Sequence, residues 1–373
     1  MDEVVTDEQR AVLDAASQFT AKVCPLTGLR DRIHDSQDFR DTYWSEAGEL
    51  GWFSMLVPES LGGGSASGNG VLDVTLIANM LGRALQPGPF VGTNVVAHAL
   101  AVAGTAEQQE LLLPGLISGE ASAVWAVNCR GGGAPDAGVW ATPTASGYEL
   151  RGHKSLMQDI DWASWMLVTA ASPGGVRQFV VPVDAQGVSI HPKQSLDLTR
   201  QFAEVEFSGT PVPHSNLLDE DGQTTELVNR QVAIASVLTA AQTVGAVAED
   251  LARTTQYAKD RIAFGRPIGS FQAIKHLLVD ASLSLELGKS VVLAAANALG
   301  TEDDHGLQAA SMAKAFVGDT GIDIVQNCTQ VFGGIGLTWE HDQHLFVRRV
   351  TTDASLYGDP VWHREHLCQL AGI

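Results

Sequence analysis

The spacing of apolar and polar positions divides the chain into three stretches of different texture. Over residues 1–120 apolar residues recur at helical spacing between short polar joints; Leu72, Leu76 and Met80 stand four apart inside the run Leu72 to Leu85. Thr6 followed by Asp7-Glu8-Gln9-Arg10 reads as an N-cap and first turn. The segments Val57-Pro58-Glu59 with Leu61-Gly62-Gly63-Gly64, and Gln86-Pro87-Gly88-Pro89-Phe90, interrupt that pattern as loops. From about Ala121 to Pro213 short alternating runs take over. Tyr148–Gly152, Trp165–Thr169, Gln178–Pro182 and Glu204–Phe207 are separated by Gly, Pro, Ser and Asp, which predicts strands of a small antiparallel domain. After Thr224 the helical period returns, with long helices predicted over Leu227–Asp260 and Gln272–Leu299. Their length without heptads predicts a bundle. The chain is therefore expected to be α+β and mostly α. Its expected parts are an N-terminal helical domain over 1–120, a middle β domain over 121–217 and a C-terminal helical bundle over 224–373.

Composition narrows the function. A chain of 373 residues, 45% hydrophobic and 18% charged, buries a large core as an ordinary globular protein does. A net charge of -20 without Lys/Arg clusters argues against nucleic acid. Cys24, Cys129, Cys328 and Cys368 show no CxxC spacing, so neither a zinc site nor a disulfide framework is expected, and a reduced cytoplasm fits. The acidic start Met1-Asp2-Glu3 has no basic or apolar region of a signal peptide. The weakly polar stretch Val232 to Ala248 carries Ser236, Thr239, Gln242 and Thr243 and is short for a membrane span, so a buried helix is expected and no membrane. His341-x-x-His344 and His363-x-x-His366 lack a third ligand and read as solvated helix surface, with no metal.

Two motifs carry chemistry. Arg261-Ile262-Ala263-Phe264-Gly265 through Phe271-Gln272 places a fork-shaped guanidinium and an amide at two helix ends, a suitable donor pair for a pyrophosphate. Gln330-Val331-Phe332-Gly333-Gly334-Ile335-Gly336 follows a helical pattern, so it is no Rossmann fingerprint, but its glycines admit a ligand close to the backbone. Each is weak alone, because an Arg can simply pair with Asp260 and glycines can simply end a helix.

Together the pieces resemble the acyl-CoA dehydrogenase family. The resemblance rests on Arg261-x-x-Phe264-Gly265-x-x-Ile268-x-x-Phe271-Gln272-x-x-x-His276, on the Gln330 to Gly336 segment and on Arg348. It also rests on Val57-Pro58-Glu59-x-x-Gly62-Gly63 and Leu150-x-Gly152-x-Lys154, so that it spans nearly the whole chain. It implies an N-terminal helical domain, a middle β domain and a C-terminal four-helix bundle. It also implies FAD, an acyl-CoA substrate and electron-transferring flavoprotein as electron acceptor. In such proteins the β domain holds the flavin ring of its own subunit, while the two motifs reach the pyrophosphate and adenosine of a neighbour's FAD. By that resemblance the cofactor-binding positions are Arg261, Ala263, Phe264, Phe271, Gln272, Gln330, Val331, Gly333 and Gly334; Ala263 replaces a hydroxyl residue found in some members.

The resemblance breaks at the catalytic base. Dehydrogenation needs a carboxylate to take the α-proton, worth about 10²–10⁴-fold. Most members carry it in a Tyr-Glu-Gly-Thr loop. Counting without gaps from Gly336 places it on Tyr357, a one-residue shift gives Gly358, and only a two-residue slip reaches Asp359, which the Asp-Pro pair reads as a turn initiator. A second group carries its Glu on the preceding helix, here at about Ala235. The flavin-ring side also departs. Near residues 126–136, Ala126-Val127-Asn128-Cys129-Arg130 stands where Thr-Glu-Pro is expected. Ser155-Leu156-Met157-Gln158 replaces Thr-Trp-Ile-Thr and reads as a core strand.

The expectation is a subunit without its own base, resembling the paired dehydrogenase subunits of actinobacteria. Those assemble as α2β2 and act on steroid-side-chain CoA thioesters; here the chain would complete the FAD site of a catalytic partner. The alternatives are a self-sufficient flavoenzyme, either a dehydrogenase using Asp359 or an oxidase or monooxygenase, and a CoA-thioester-binding or structural paralogue.

Overall fold

The computed structural model describes residues 5–32, 37–127, 138–218, 222–301 and 305–373. Of the sequence expectations, the start Met1-Asp2-Glu3, the segment 128–137 and Cys129 within it lie outside them. The N-terminal helices are α1 (Asp7–Val23), α2 (Leu29–Arg32), α3 (Gln37–Glu49), α4 (Gly70–Arg83), α5 (Phe90–Ala103) and α6 (Ala106–Ser118). Thr6 caps α1 through a reciprocal box. Its hydroxyl accepts the Gln9 N–H at 3.2 Å, and the Gln9 side chain accepts the Thr6 N–H at 2.9 Å.

The middle sheet comprises β1 (Ala123–Ala126), β2 (Val139–Thr144), β3 (Gly147–Gln158), β4 (Trp165–Ser172), β5 (Gly175–Pro182), β6 (Val188–Lys193), β7 (Phe202–Pro213) and β8 (Leu217–Leu218). Its order is β6-β7-β3-β2-β4-β5-β8, with β1 on β4. Most ladders are antiparallel as expected, but β1 and β2 run parallel to β4. The alternation of side chains does not reveal this, because β1 enters from α6 and reaches β4 only after β2 and β3 intervene, with no hairpin to force an antiparallel pair.

The C-terminal region opens with α7 (Thr224–Asp260), then the ribbon β9 (Ile262–Ala263) and β10 (Arg266–Pro267), α8 (Gln272–Gly300), α9 (Gly306–Phe332), α10 (Gln343–Ser355) and α11 (Pro360–Ala371). By length and composition α7 is long and apolar enough to cross a membrane, but 94% of its apolar window is buried inside the fold. Its small residues serve close packing. A Cβ on Gly245 would lie 1.9 Å from the Asn79 carbonyl, and one on Gly82 2.0 Å from that of Gln242. Asn79 donates its side-chain amide to the Ala241 carbonyl at 3.1 Å across the same seam.

Short connections make α7, α8 and α9 successive antiparallel neighbours. The C-terminal ends of α7 and α9 and the N-terminal end of α8 therefore meet at one end of the bundle. Tyr257, in the last turn of α7, packs against Phe332, the last residue of α9, with ring centroids 4.8 Å apart.

Candidate functional site

Both chemistry-bearing motifs emerge at that shared end. Ala263 pairs with Arg266 and Ile262 with Pro267, which leaves Phe264 and Gly265 as a two-residue turn. Their φ angles of 53° and 77° fit a type I′ hairpin. Phe264 is 95% exposed at its tip. Arg266 lies 4.1 Å from the centroid of the Phe271 ring, which Phe264 meets edge-on. Arg261 is exposed and makes no ion pair with Asp260, which accepts from Gln256 instead. Gln272 is the first residue of α8, and Phe271 before it offers no side-chain cap. The first N–H groups of this 29-residue helix have no side-chain cap among the described residues, and the exposed Arg266 guanidinium lies over the Phe271 ring beside them. That is a ready place for an anion.

In the second motif each glycine has a different reason. Gly333 ends α9 with φ 66° and ψ -145°, a conformation that favours glycine. At Gly336 a Cβ would come within 2.9 Å of Phe332, so close packing requires its absence. Gly334 has no positive φ and nothing within 4 Å of a would-be Cβ. Nothing in this chain demands glycine there, whereas a ligand or partner approaching the backbone would. Gln330 is exposed, and Val331 is 5% exposed with its side chain in the core. Gln330 and Gly333 line a cleft of about 500 Å³ with Leu196, Thr329, His344 and Arg348. Arg348 closes one wall by donating to the Leu196 carbonyl at 3.0 Å.

Of the positions expected for a base, Tyr357 and Ala235 are buried, Gly358 is half-buried and Asp359 is exposed. The connector from α10 to α11 is Leu356-Tyr357-Gly358-Asp359, and each residue has a structural task. Leu356 is core, 3% exposed. Tyr357 stacks on Trp125 of β1 at 6.1 Å and 14°. Its carbonyl faces His363 Nε2 at 3.1 Å and accepts from the Ser236 hydroxyl at 3.4 Å. Gly358 has φ 102°, and a Cβ there would lie 2.6 Å from the Trp362 ring and 2.8 Å from His363. Asp359 is the N-cap of α11, accepting the Trp362 N–H at 2.7 Å. Ala235, beside Ser236 on α7, is fully buried. Burial pushes the Tyr357 hydroxyl up to about 12 against the pull of Arg200. It is no base.

Behind the connector lies a buried ionic network that periodicity could not reveal. Arg200, just before β7, pairs with Asp353 of α10 and donates to Gln242 of α7 at 2.6 Å. Arg349 pairs with Asp197 at 2.7 Å, bonds Thr199 and reaches the Leu85 and Gln86 carbonyls. Burial raises the Asp353 carboxyl, with Arg200 opposing it. Asp159, at the sharp end of β3, is pushed up to about 6 by burial although it accepts from Gln201 N–H. Lys314 donates to the carbonyls of Asp353, Ala354 and Gly358, tying α9 to the connector. The only local hint in sequence was a charged residue at an apolar phase of a helix.

Two expectations need correction. The stretch Ser155–Gln158 is not wholly a core strand, since a register shift in the β3–β7 pairing between Lys154 and Met157 leaves Leu156 46% exposed at φ 56°. Ser155 and Met157 on either side of it are buried, so the register shift leaves only part of this stretch in the core. Nor are the histidine pairs simply solvated surface. His363 is 1% exposed, and His341 packs on Phe332 at 4.4 Å. Tertiary packing from α7 and α9 covers those helix faces.

A helical region, a sheet and a helical bundle with this pair of motifs define the acyl-CoA dehydrogenase fold. The family profile for the acyl-CoA dehydrogenase N-terminal domain matches residues 6–120, and that for the C-terminal domain matches residues 225–367. The chain belongs to the acyl-CoA dehydrogenase family, whose members are oxidoreductases. It is 28% identical to acyl-CoA dehydrogenase IpdE2 of Mycobacterium tuberculosis, over 95% of this chain and 94% of that one. The solved structure of a variant of the Tcur3481-Tcur3483 steroid ACAD superposes with a TM-score of 0.87 at 26% identity, covering 98% of each chain. The ChsE4-ChsE5 complex from Mycobacterium tuberculosis shares the fold, with a TM-score of 0.87 at 24% identity over 100% of this chain and 99% of that one.

Proposed function

We propose that this chain is the base-free subunit of a heteromeric, FAD-dependent acyl-CoA dehydrogenase and completes the FAD site of a catalytic partner in trans. When bound, FAD supplies the hydride acceptor for α,β-dehydrogenation of an acyl-CoA thioester. The contribution of this chain is to bind and orient. Arg261 and the uncapped start of α8 at Gln272 offer donors to a pyrophosphate, and Gln330 with the open backbone at Gly334 offers a second set. The observation that carries the reading is the contrast at the base positions. Tyr357, Gly358 and Ala235 hold no carboxylate and are locked into packing, while the neighbour-facing motifs stand open at the bundle end. The likeness to a steroid ACAD named by two components supports a partner subunit and a steroid-type CoA thioester; electron-transferring flavoprotein as electron acceptor is what the family resemblance implies.

Co-expression with a companion dehydrogenase subunit, followed by measurement of the FAD-to-chain ratio, tests this. One FAD per two chains and activity only in the mixture are expected; a yellow, active homo-oligomer of this chain would refute it. One observation favours a self-sufficient enzyme: Asp353 keeps one carboxylate oxygen without a hydrogen-bond partner among the described residues. It is, however, fully buried and paired with Arg200. Loss of turnover in Asp353→Asn of a purified homo-oligomer, with the fold retained, would revive that reading.

A further inference from the structure

Asp342 stands at the N-cap of α10, where a carboxylate ordinarily accepts first-turn N–H groups, yet it makes no capping bond. His341 supplies the contact instead, its Nδ1 accepting the Gln343 N–H at 3.1 Å. The Asp342 carboxylate turns to two arginines from different parts of the fold. Arg30 Nε of α2 lies 2.9 Å from one oxygen, and Arg253 Nη2 of α7 lies 2.8 Å from the other. Arg30 also donates to the Trp339 carbonyl at 2.8 Å. Arg253 sits on α7, about two turns before its C-cap Arg261.

We infer that Asp342 is a positioning residue for the shared cofactor. The Arg30–Asp342–Arg253 clamp fixes the segment after Gly333 to the helix that carries the Arg261 hairpin, so both donor sets are presented in one geometry. The N-terminal helices thereby take part in the trans site without touching the ligand. The aromatic column Tyr257–Phe332–His341 holds the inner side of the same segment, and the ion pairs hold its far end. An Asp that forgoes its cap for two cations is explained by this bridging role and not by stability of α10 alone.

The inference rests on the trans-cofactor reading, and its test has one arm independent of flavin. Asp342→Asn keeps the shape and removes the charge; Asp342→Glu keeps the charge. In the chain alone, amide hydrogen exchange should speed up across residues 333–342 in Asp342→Asn while the buried middle of α7 stays protected. In the co-purified complex the same variant should retain FAD roughly three- to tenfold more weakly, the scale of coupling through a contiguous network. Asp342→Glu should recover part of both effects. Unchanged exchange and unchanged retention overturn the proposal, and so does loss of protection throughout the bundle, which would mark a general structural role. If the wild-type complex holds no flavin at all, the split-site reading fails on its own, and the exchange measurement still decides the clamp.

Discussion

The outer end of the bundle and the connector between α10 and α11 lie within one C-terminal region, yet they are constrained by opposite things. At the outer end Arg261, Phe264, Gln272 and Gly334 contribute little to this chain's own packing. At the connector Leu356, Tyr357, Gly358 and Asp359 each satisfy a contact within the chain. On the proposed reading the open residues face a partner, whereas Leu356, Tyr357 and Ala235 lie in the core.

The comparison breaks first at the buried network behind the connector. Arg349→Met leaves the Asp197 carboxylate buried without its cation, and urea unfolding should show a loss of about 3–5 kcal/mol. A loss under about 1 kcal/mol would mean that this side is not held by ion pairing. Next come two glycine substitutions of identical chemistry. Gly358→Ala forces a side chain into a left-handed, occupied position and should cost about 2–4 kcal/mol. Gly334→Ala should leave the melting temperature unchanged and weaken FAD retention by the complex. Equal effects on stability would erase the distinction between the two regions.

At the outer end, Arg261→Ala should shift the chain's own stability by no more than about 0.5 kcal/mol. In the complex it should weaken FAD binding by about 1.5–3 kcal/mol, the worth of a charged hydrogen bond. Titration of the apo-complex with FAD measures it. Smaller still is Asp359→Ala, which should remove an N-cap worth about 1 kcal/mol while leaving turnover of the complex intact. Abolished turnover would instead identify Asp359 as the base.

A further contrast is in pH. Burial first, and then the Lys314 charge, hold His363 down to about 3 from its ordinary 6.5. The unfolded chain therefore takes up this proton first, and stability falls as the pH drops from about 6.5 toward 3. Thermal melts of His363→Gln across that window should show a shallower acid limb than wild type. An unchanged slope would exclude His363; Asp250 and Asp159, raised by burial to about 7 and about 6, act in the opposite direction and flatten the limb in both proteins.

Much of this was legible locally. The Thr6 capping box, the long α7 and α8, the strands around Trp165 and Gln178 and the family motifs all follow from period, caps and punctuation, which report backbone conformation and the face a residue occupies. The lack of a carboxylate at Tyr357 and Ala235 was equally plain. Pairing across the fold was not. Arg200 meets Asp353 across 153 positions, and Arg30 contributes to a loop 309 positions away. No short-range pattern encodes such contacts. Sequence by itself thus determined most helices and strands, the family and the absence of a carboxylate at Tyr357, Gly358 and Ala235. Only the tertiary structure decided that Ser236 and Tyr357 share one buried contact, that Leu156 turns outward at a bulge, and that Asp342 gives up its cap. Those outcomes depend on which faces meet when distant elements pack, and that choice is made by the whole core at once.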